Sequence, residues 1–400
     1  MQAQMRASDL MQGNERVDIP FTYRNGFIIV EVKFNDFMPM SFIFDTGAEH
    51  TLIFDKVTTD ILGIPYERQI KVLGSDLSIE MYAQISRSIP FVLPNGLRVK
   101  RDIVVLDIDY FNLSTNNGFN IDGLIGGEFF KGLVVQINYA KSRIELFNSE
   151  KYKPCENCTK HDIQIINHKP YVIADYVPSF KNTSDTSKLK LLLDSGAAIT
   201  YLLFMESDSS IIVPESTIPG RLGKGLGGDI LGLVGKSQYI GVDEYGFQEV
   251  ITYYQSVDSS IIAKNKIDRN GIIGNAVLSR FKKVTIDYTY QKLYLEPNKK
   301  FNADFQYDKS GINLIALGLD LDQYYVNAVL INSPSYEAGI RPGDLIVKYG
   351  WWSTKWHSLE GISNRLCKKE GKKINLTIKR GEKKLKKTFI LRDLFLNNKQ

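Results

Sequence analysis

Apolar residues in this chain come in short runs and alternations separated by turn residues, and few long stretches keep the spacing of an amphipathic helix. Val, Ile, Thr, Tyr and Phe are plentiful. The pattern predicts a mostly β protein built chiefly from antiparallel sheet. Two apolar runs are interrupted in the same way. "FIFDTGAEHTLIF" (residues 42–54) and "LLLDSGAAITYLLF" (191–204) each place an Asp, a hydroxyl residue and a Gly between strand-like flanks. An ionised carboxylate is costly to bury without partners, so an acid at such a junction either caps a turn or carries chemistry.

Setting Asp45 over Asp194 gives an offset of 149 residues. Downstream, "GLIGGEFFKGLVVQINY" (123–139) answers "GIIGNAVLSRFKKVTIDY" (271–288) at offset 148, becoming 149 after one inserted residue. Between them "LGSDL" (73–77) answers "LGGDI" (226–230). Three matches in one order read as an internal duplication. We expect one β-rich lobe over residues 15–150 and its twin over 151–300, joined by the polar "NSEKYKPCENC". Residues 301–400 match neither half. There, "YYVNAVLINSPSYEAGIRPGDLIVKYG" predicts a strand, a turn, a one-turn helix and a Pro-Gly-Asp turn into another strand. A helix over about 359–369 and the strands "INLTI" and "KKTFIL" complete a small α+β module.

Two equivalent lobes about a pseudo-twofold axis bring corresponding loops face to face, so Asp45 and Asp194 are the candidate catalytic pair. Close carboxylates cannot both ionise cheaply. They share a proton, one accepting from water while the other donates to a carbonyl, which is general acid–base hydrolysis without a covalent intermediate. Thr46 and Ser195 supply hydroxyls to lock the loops across the axis, and Gly47 and Gly196 let backbone amides approach the acids. Ala48 and Ala197 offer no hydroxyl donor, which favours keeping the shared proton to higher pH. Gly74, Ser75, Gly227 and Gly228 are candidate tips of two hairpins that fold over a substrate.

With Asp-Thr-Gly-Ala at Asp45, Asp-Ser-Gly-Ala at Asp194, Thr at 51 and 200, and an apolar-apolar-Gly motif following each, the two halves resemble aspartic proteases of the retropepsin-like branch, both lobes in one chain. "SPSYEAGIRPGDLIV" with the upstream "GINL" resembles a PDZ domain, and bacterial proteins join the two in this order. The resemblance implies two β-barrel-like acid-protease lobes followed by a PDZ domain. It implies an aspartic endopeptidase, a polypeptide substrate in the interlobe cleft, and no metal or other cofactor. It also implies a carboxylate-binding loop, Gly311, Ile312, Asn313 and Leu314, that holds a C-terminal peptide, with Asn313 where Gly is usual. The alternative is a catalytically inactive peptide-binding protein on the same fold. No Tyr stands at either hairpin tip, unlike the single flap of two-lobed pepsins.

The length of 400 residues suits two or three domains. Net charge is +5, but residues 362–400 hold thirteen Lys or Arg against three Asp or Glu, so the remainder is acidic. Nothing interleaves aromatics with those lysines in a reading motif, so a solvated face is expected and nucleic acid is not an expected partner. Three cysteines exclude a dense disulfide framework. Cys155, Cys158, His161 and His168 can be written as a zinc set, but the spacing is too short for a usual finger, and two thiols or a local disulfide in a turn is the expectation. Trp351, Trp352 and Trp356 are expected to pack at a core or edge, with partner binding the second reading. No run reaches membrane-spanning length, and residues 1–20 lack the apolar centre of a signal peptide. We expect a monomer, cytoplasmic as it stands and periplasmic, envelope-bound or secreted if a leader was removed.

Overall fold

The computed structural model describes residues 10–73, 80–155, 158–178, 186–225, 228–258, 262 and 268–395. The chain is mostly β and divides into two compact units. The first comprises Met1–Phe111, Asp122–Pro214 and Arg221–Ala303, and the second comprises Asn112–Ile121, Glu215–Gly220 and Asp304–Gln400.

The first unit contains two eight-stranded sheets with one plan. In the first half the order is Thr22–Arg24, Phe27–Phe34, Met38–Phe44, Gly123–Ile125, Leu52–Ile53, Arg98–Leu106, Glu80–Val92 and Arg68–Leu73. In the second it is Gln164–Ile166, Lys169–Val177, Ser187–Asp194, Gly271–Gly274, Tyr201–Phe204, Tyr245–Gln255, Gly228–Val242 and Ile218–Gly225. Each strand that leads to an Asp runs parallel to its apolar-apolar-Gly strand, Phe44 beside Ile125 and Asp194 beside Gly274. These strands are apolar on both faces because both faces are covered; Phe42, Phe44, Leu191 and Leu193 are all buried.

A third sheet takes strands from both halves, in the order Arg16–Pro20, Arg143–Asn148, Leu133–Asn138, Phe281–Asp287, Lys292–Pro297 and Thr159–Asp162. At its centre Gln136 faces Thr285 and donates to its hydroxyl at 2.8 Å. Those residues are 149 apart, the offset read from the sequence, and equivalent residues touch only at a twofold axis. The two halves thus share a sheet and group as one unit.

In the second unit a sheet runs Ile312–Leu317, Gln323–Val329, Leu345–Tyr349, Lys373–Arg380 and Lys383–Ile390, with Trp352–Ser353 paired to Leu345–Tyr349. The Leu359–Leu366 helix starts at Ser358, whose hydroxyl accepts from the Gly361 amide, and turns Leu359, Ile362 and Leu366 into the core with Ile312, Leu314, Ala316 and Ile346. It ends a turn short of the expected 369. The Pro-Gly-Asp turn has a structural cause: Gly343 takes φ +87°, and the buried Asp344 receives two hydrogen bonds from Arg380, at 2.7 and 2.8 Å, and one from the Arg341 amide. Trp351, Trp352 and Trp356 are exposed, so of the expected core or edge packing the core is excluded, and Trp352 lies on the short strand paired to Leu345–Tyr349. Among the described residues no helix is long and apolar enough to cross a membrane.

Candidate active site

The two acidic loops meet within the first unit. Thr46 and Ser195 form a closed set of four hydrogen bonds: the Thr46 amide donates to Ser195 Oγ and the Ser195 amide to Thr46 Oγ1, both at 3.0 Å. Each hydroxyl then donates across the axis, Thr46 to the Leu193 carbonyl at 2.7 Å and Ser195 to the Phe44 carbonyl at 2.8 Å. Both side chains are buried, so every donor and acceptor there is satisfied by its counterpart in the other half.

This lock sets the carboxylates against one another. A methyl group added at Gly47 would lie 2.5 Å from the Asp194 carboxyl carbon, and one at Gly196 would meet the Asp45 carboxyl carbon in the same way. Glycine is therefore required by the opposite acid, not by backbone torsion. Within each loop the acid is held by amides: Gly47 and Ala48 donate to Asp45 Oδ1 at 2.7 and 3.1 Å, and Gly196 donates to Asp194 Oδ1 at 2.9 Å.

Burial and the negative charge of Asp194 push the Asp45 carboxyl well above the ordinary carboxylate range. Burial also raises Asp194, and here the Arg269 guanidinium pulls the other way. The pair is a shared-proton system with unequal members. Arg269 lies over the Phe204 ring, 5.5 Å from its centroid, and hydrogen-bonds with Tyr171, while the Lys169 ammonium feels both carboxylates.

The motifs did not single out Arg269, Lys169 or the support at Asn275. Asn275 accepts from the Tyr139 hydroxyl at 2.5 Å and donates to the Gly26 carbonyl at 2.6 Å. A methyl group added at Gly26, which takes φ +81°, would lie 2.8 Å from Ala198 Cβ beside the second loop. A signal for Asn275 was legible, since it follows "GIIG" where the first half has Gly127 after "GLIG".

Of the hairpin-tip residues, Gly74, Ser75 and Gly227 lie outside the described residues. Gly228 begins a strand, and the Arg68–Leu73 and Glu80–Val92 strands pair up to Leu73 opposite Glu80. Cys155 and Cys158 form a disulfide. The four-residue zinc set is not assembled: the cysteines lie with Glu296, and the buried His161 lies with Asp243 and Glu244.

In the second unit Ile312, Asn313 and Leu314 belong to a strand, and only Gly311 precedes it. The amides just before that strand already have a carboxylate. Ser310 and Gly311 donate to Asp308 at 3.0 and 2.6 Å, and Ile312 donates to the Ser310 hydroxyl at 3.1 Å.

The family model for the PDZ domain matches residues 325–380. The chain carries a PDZ domain. Probable CtpA-like serine proteases are similar to it: that of Staphylococcus saprophyticus is 28% identical over 134 residues, covering 34% of this chain and 26% of that protein. That of Staphylococcus aureus strain MRSA252 is 27% identical over 139 residues, covering 35% of this chain and 27% of that protein. The chain spans about a quarter of the length of these relatives. Among solved structures, basic 7S globulin from soybean matches 70% of this chain and 95% of its own at 7% identity, with a TM-score of 0.39. The relatives' names correct the expectation of an aspartic endopeptidase: they are proteases of the serine type.

Proposed function

We propose that this chain is a hydrolase acting on polypeptides, with Asp45 and Asp194 as its acid–base pair and the PDZ domain as a polypeptide-holding module. The observation that carries the reading is the reciprocal Thr46–Ser195 lock, which holds two carboxyl groups so close that each leaves room only for glycine in the opposite loop. A structure with no use for the pair has no reason to hold two acids in mutual repulsion. The matched strand orders of the two halves support reading them as the two lobes of a duplicated acid-protease fold, with the substrate lying between them. The protease names of the relatives support the polypeptide as substrate class.

A serine-type hydrolase is the second reading, favoured by those same names. Ser195 does not serve it well, being buried with its hydroxyl spent on the Phe44 carbonyl. One experiment separates the two: digestion of an unfolded protein mixture by the full chain, by Asp45→Asn, and by the full chain treated with a serine-directed fluorophosphonate. Loss of cleavage in Asp45→Asn with no effect of the reagent supports the acid–base pair. Inhibition by the reagent with turnover kept in Asp45→Asn moves the chemistry to a serine.

A further inference from the structure

The second unit contains a stretch that is remote in sequence from its sheet. Residues Asn112–Ile121 lie between the Arg98–Leu106 and Gly123–Ile125 strands, yet they group with Asp304–Gln400. The stretch is a built element. A one-turn helix, Leu113–Asn117, is entered through Asn112 at φ 47° and left through Gly118 at φ 73°, and the Gly118 amide returns to the Ser114 carbonyl at 2.8 Å. The Ile121 amide donates to the Ser114 hydroxyl at 2.9 Å, which closes the loop on itself.

Its position in the PDZ domain is specific. Ile312–Leu317 is an edge strand of the sheet and Leu359–Leu366 is the helix beside it. In β-augmentation an extended peptide adds to a sheet edge. Gly118 sits between these two elements: a methyl group on it would lie 3.0 Å from Leu359 Cβ and 3.5 Å from Ala316 Cβ. The end of the groove that would take a carboxylate is closed as well. Asp308 and Ser310 use the amides of residues 310–312, and the Lys309 amide donates to the Leu366 carbonyl at the helix end, at 3.1 Å.

We infer that the groove between Ile312–Leu317 and Leu359–Leu366 is an internal-ligand site occupied by residues 112–121, and that an external polypeptide reaches it only by displacing them. Asp308 supplies the carboxylate that a free chain end brings elsewhere, so the groove suits an internal segment, which has none. Undocking bears on the acidic loops through the chain itself. The residue after the segment, Asp122, exchanges hydrogen bonds with Ser41 on the strand that leads to Asp45, at 2.7 and 2.9 Å. This inference rests on polypeptide holding by the PDZ domain and adds what holds the groove at rest.

The test uses the full chain and a fluorescent hexapeptide ending in valine, with a free or an amidated terminus. A Gly118→Cys, Leu359→Cys double variant should crosslink under mild oxidation, with the bond located by peptide mass mapping, and should then fail to bind the probe until reduced. The unmodified chain with and without reductant is the control. Replacing residues 113–118 by a Gly-Ser linker should tighten probe binding about tenfold or more, because an occupied groove lowers apparent affinity by its open fraction. Amidation should matter little in the linker variant and should matter once Asp308→Ala is added. Failure of the crosslink, or equal probe affinity in the unmodified and linker chains, overturns the internal ligand while polypeptide holding stands. If the crosslink forms but the linker chain binds no probe, both polypeptide holding and its displacement role fall.

Discussion

The two halves of the first unit repeat a backbone and invert its charge. Along the sequence, the two residues ahead of the apolar-apolar-Gly strand are Ile121-Asp122 in the first copy, the first of them grouped with the second unit, and Arg269-Asn270 in the second copy. The hydrogen bonds are the same: Asp122 Oδ2 accepts from the Ser41 amide at 2.7 Å, Asn270 Oδ1 accepts from the Lys190 amide at 2.8 Å, and each returns its own amide to the same partner's carbonyl. Ser41 and Lys190 are again 149 residues apart. Only the charges differ, an acid in one half against an amide and a guanidinium in the other. A twofold scaffold brings the carboxyl groups together, and the charged groups around them differ between the halves. Burial and the charge of Asp194 raise Asp45 well above the ordinary range, while Arg269 opposes the rise of Asp194.

Removing either acid should have the largest effect. Asp45→Asn and Asp194→Asn should each lower turnover of a polypeptide substrate by about 10²–10⁴-fold, the contribution typical of a positioned acid or base. Their stabilities should move the other way. A carboxyl raised by folding binds protons more tightly in the native state, so stability is lost as pH rises from the ordinary carboxylate pKa to the folded value. Asp45→Asn should therefore unfold at higher urea than the parent at pH 7, with the difference shrinking by pH 3. A less stable variant at pH 7 would show that Asp45 is not held against its charge.

The lock comes next. Thr46→Val and Ser195→Ala each remove a hydroxyl that donates once and accepts once in a buried place. A buried amide left unpaired costs about 1–3 kcal/mol, so each should lose at least that in urea denaturation. Equal losses would confirm that the halves are mechanically equivalent, and a loss confined to one would break the comparison at its symmetric part.

The symmetric part was legible in the sequence, and the asymmetric part, apart from the Gly127-to-Asn275 difference, was not. Repeated motifs report what the scaffold needs in both copies: the acid, the hydroxyl, the glycine and the "LIG" or "IIG" strand. Arg269 stands two residues before "GIIG", where the other copy has Ile121 before "GLIG", so no repeat pointed to it. The same limit hid residues 112–121, whose short helix shows no long periodicity and whose partner strand lies about two hundred residues away. The PDZ turn was legible because Gly343 and Asp344 have fixed tasks. The role of Asp308, which accepts from the Ser310 and Gly311 amides, was not legible because one acid before a strand looks like any turn residue.

Arg269→Met should have a smaller effect that falls on proton affinity. Burial is the largest influence on Asp194 and raises it, and Arg269 is the opposing one, so removing the cation should move the titration of the pair upward. Carbon-13 NMR of labelled aspartate reads this without any need for turnover. An unchanged titration would mean that the guanidinium serves Tyr171 and Phe204 alone, and that the two acids differ for another reason.

Asp122→Asn should have the smallest effect, and it sharpens the comparison by giving the first half the side chain of the second. Asparagine keeps an oxygen to accept from the Ser41 amide, as Asn270 does for Lys190, so the hydrogen-bond pattern survives. What is lost is a carboxyl that burial raises against one stabilising amide, with Glu31 adding to the rise. By the same linkage as for Asp45, such a group costs stability once pH passes its unfolded pKa, so the variant should gain a little at pH 7 and nothing at pH 3. A matched series of urea melts at the two pH values measures this. A loss at both would mean that Asp122 makes contacts its counterpart does not, and that the two halves differ in structure as well as in charge.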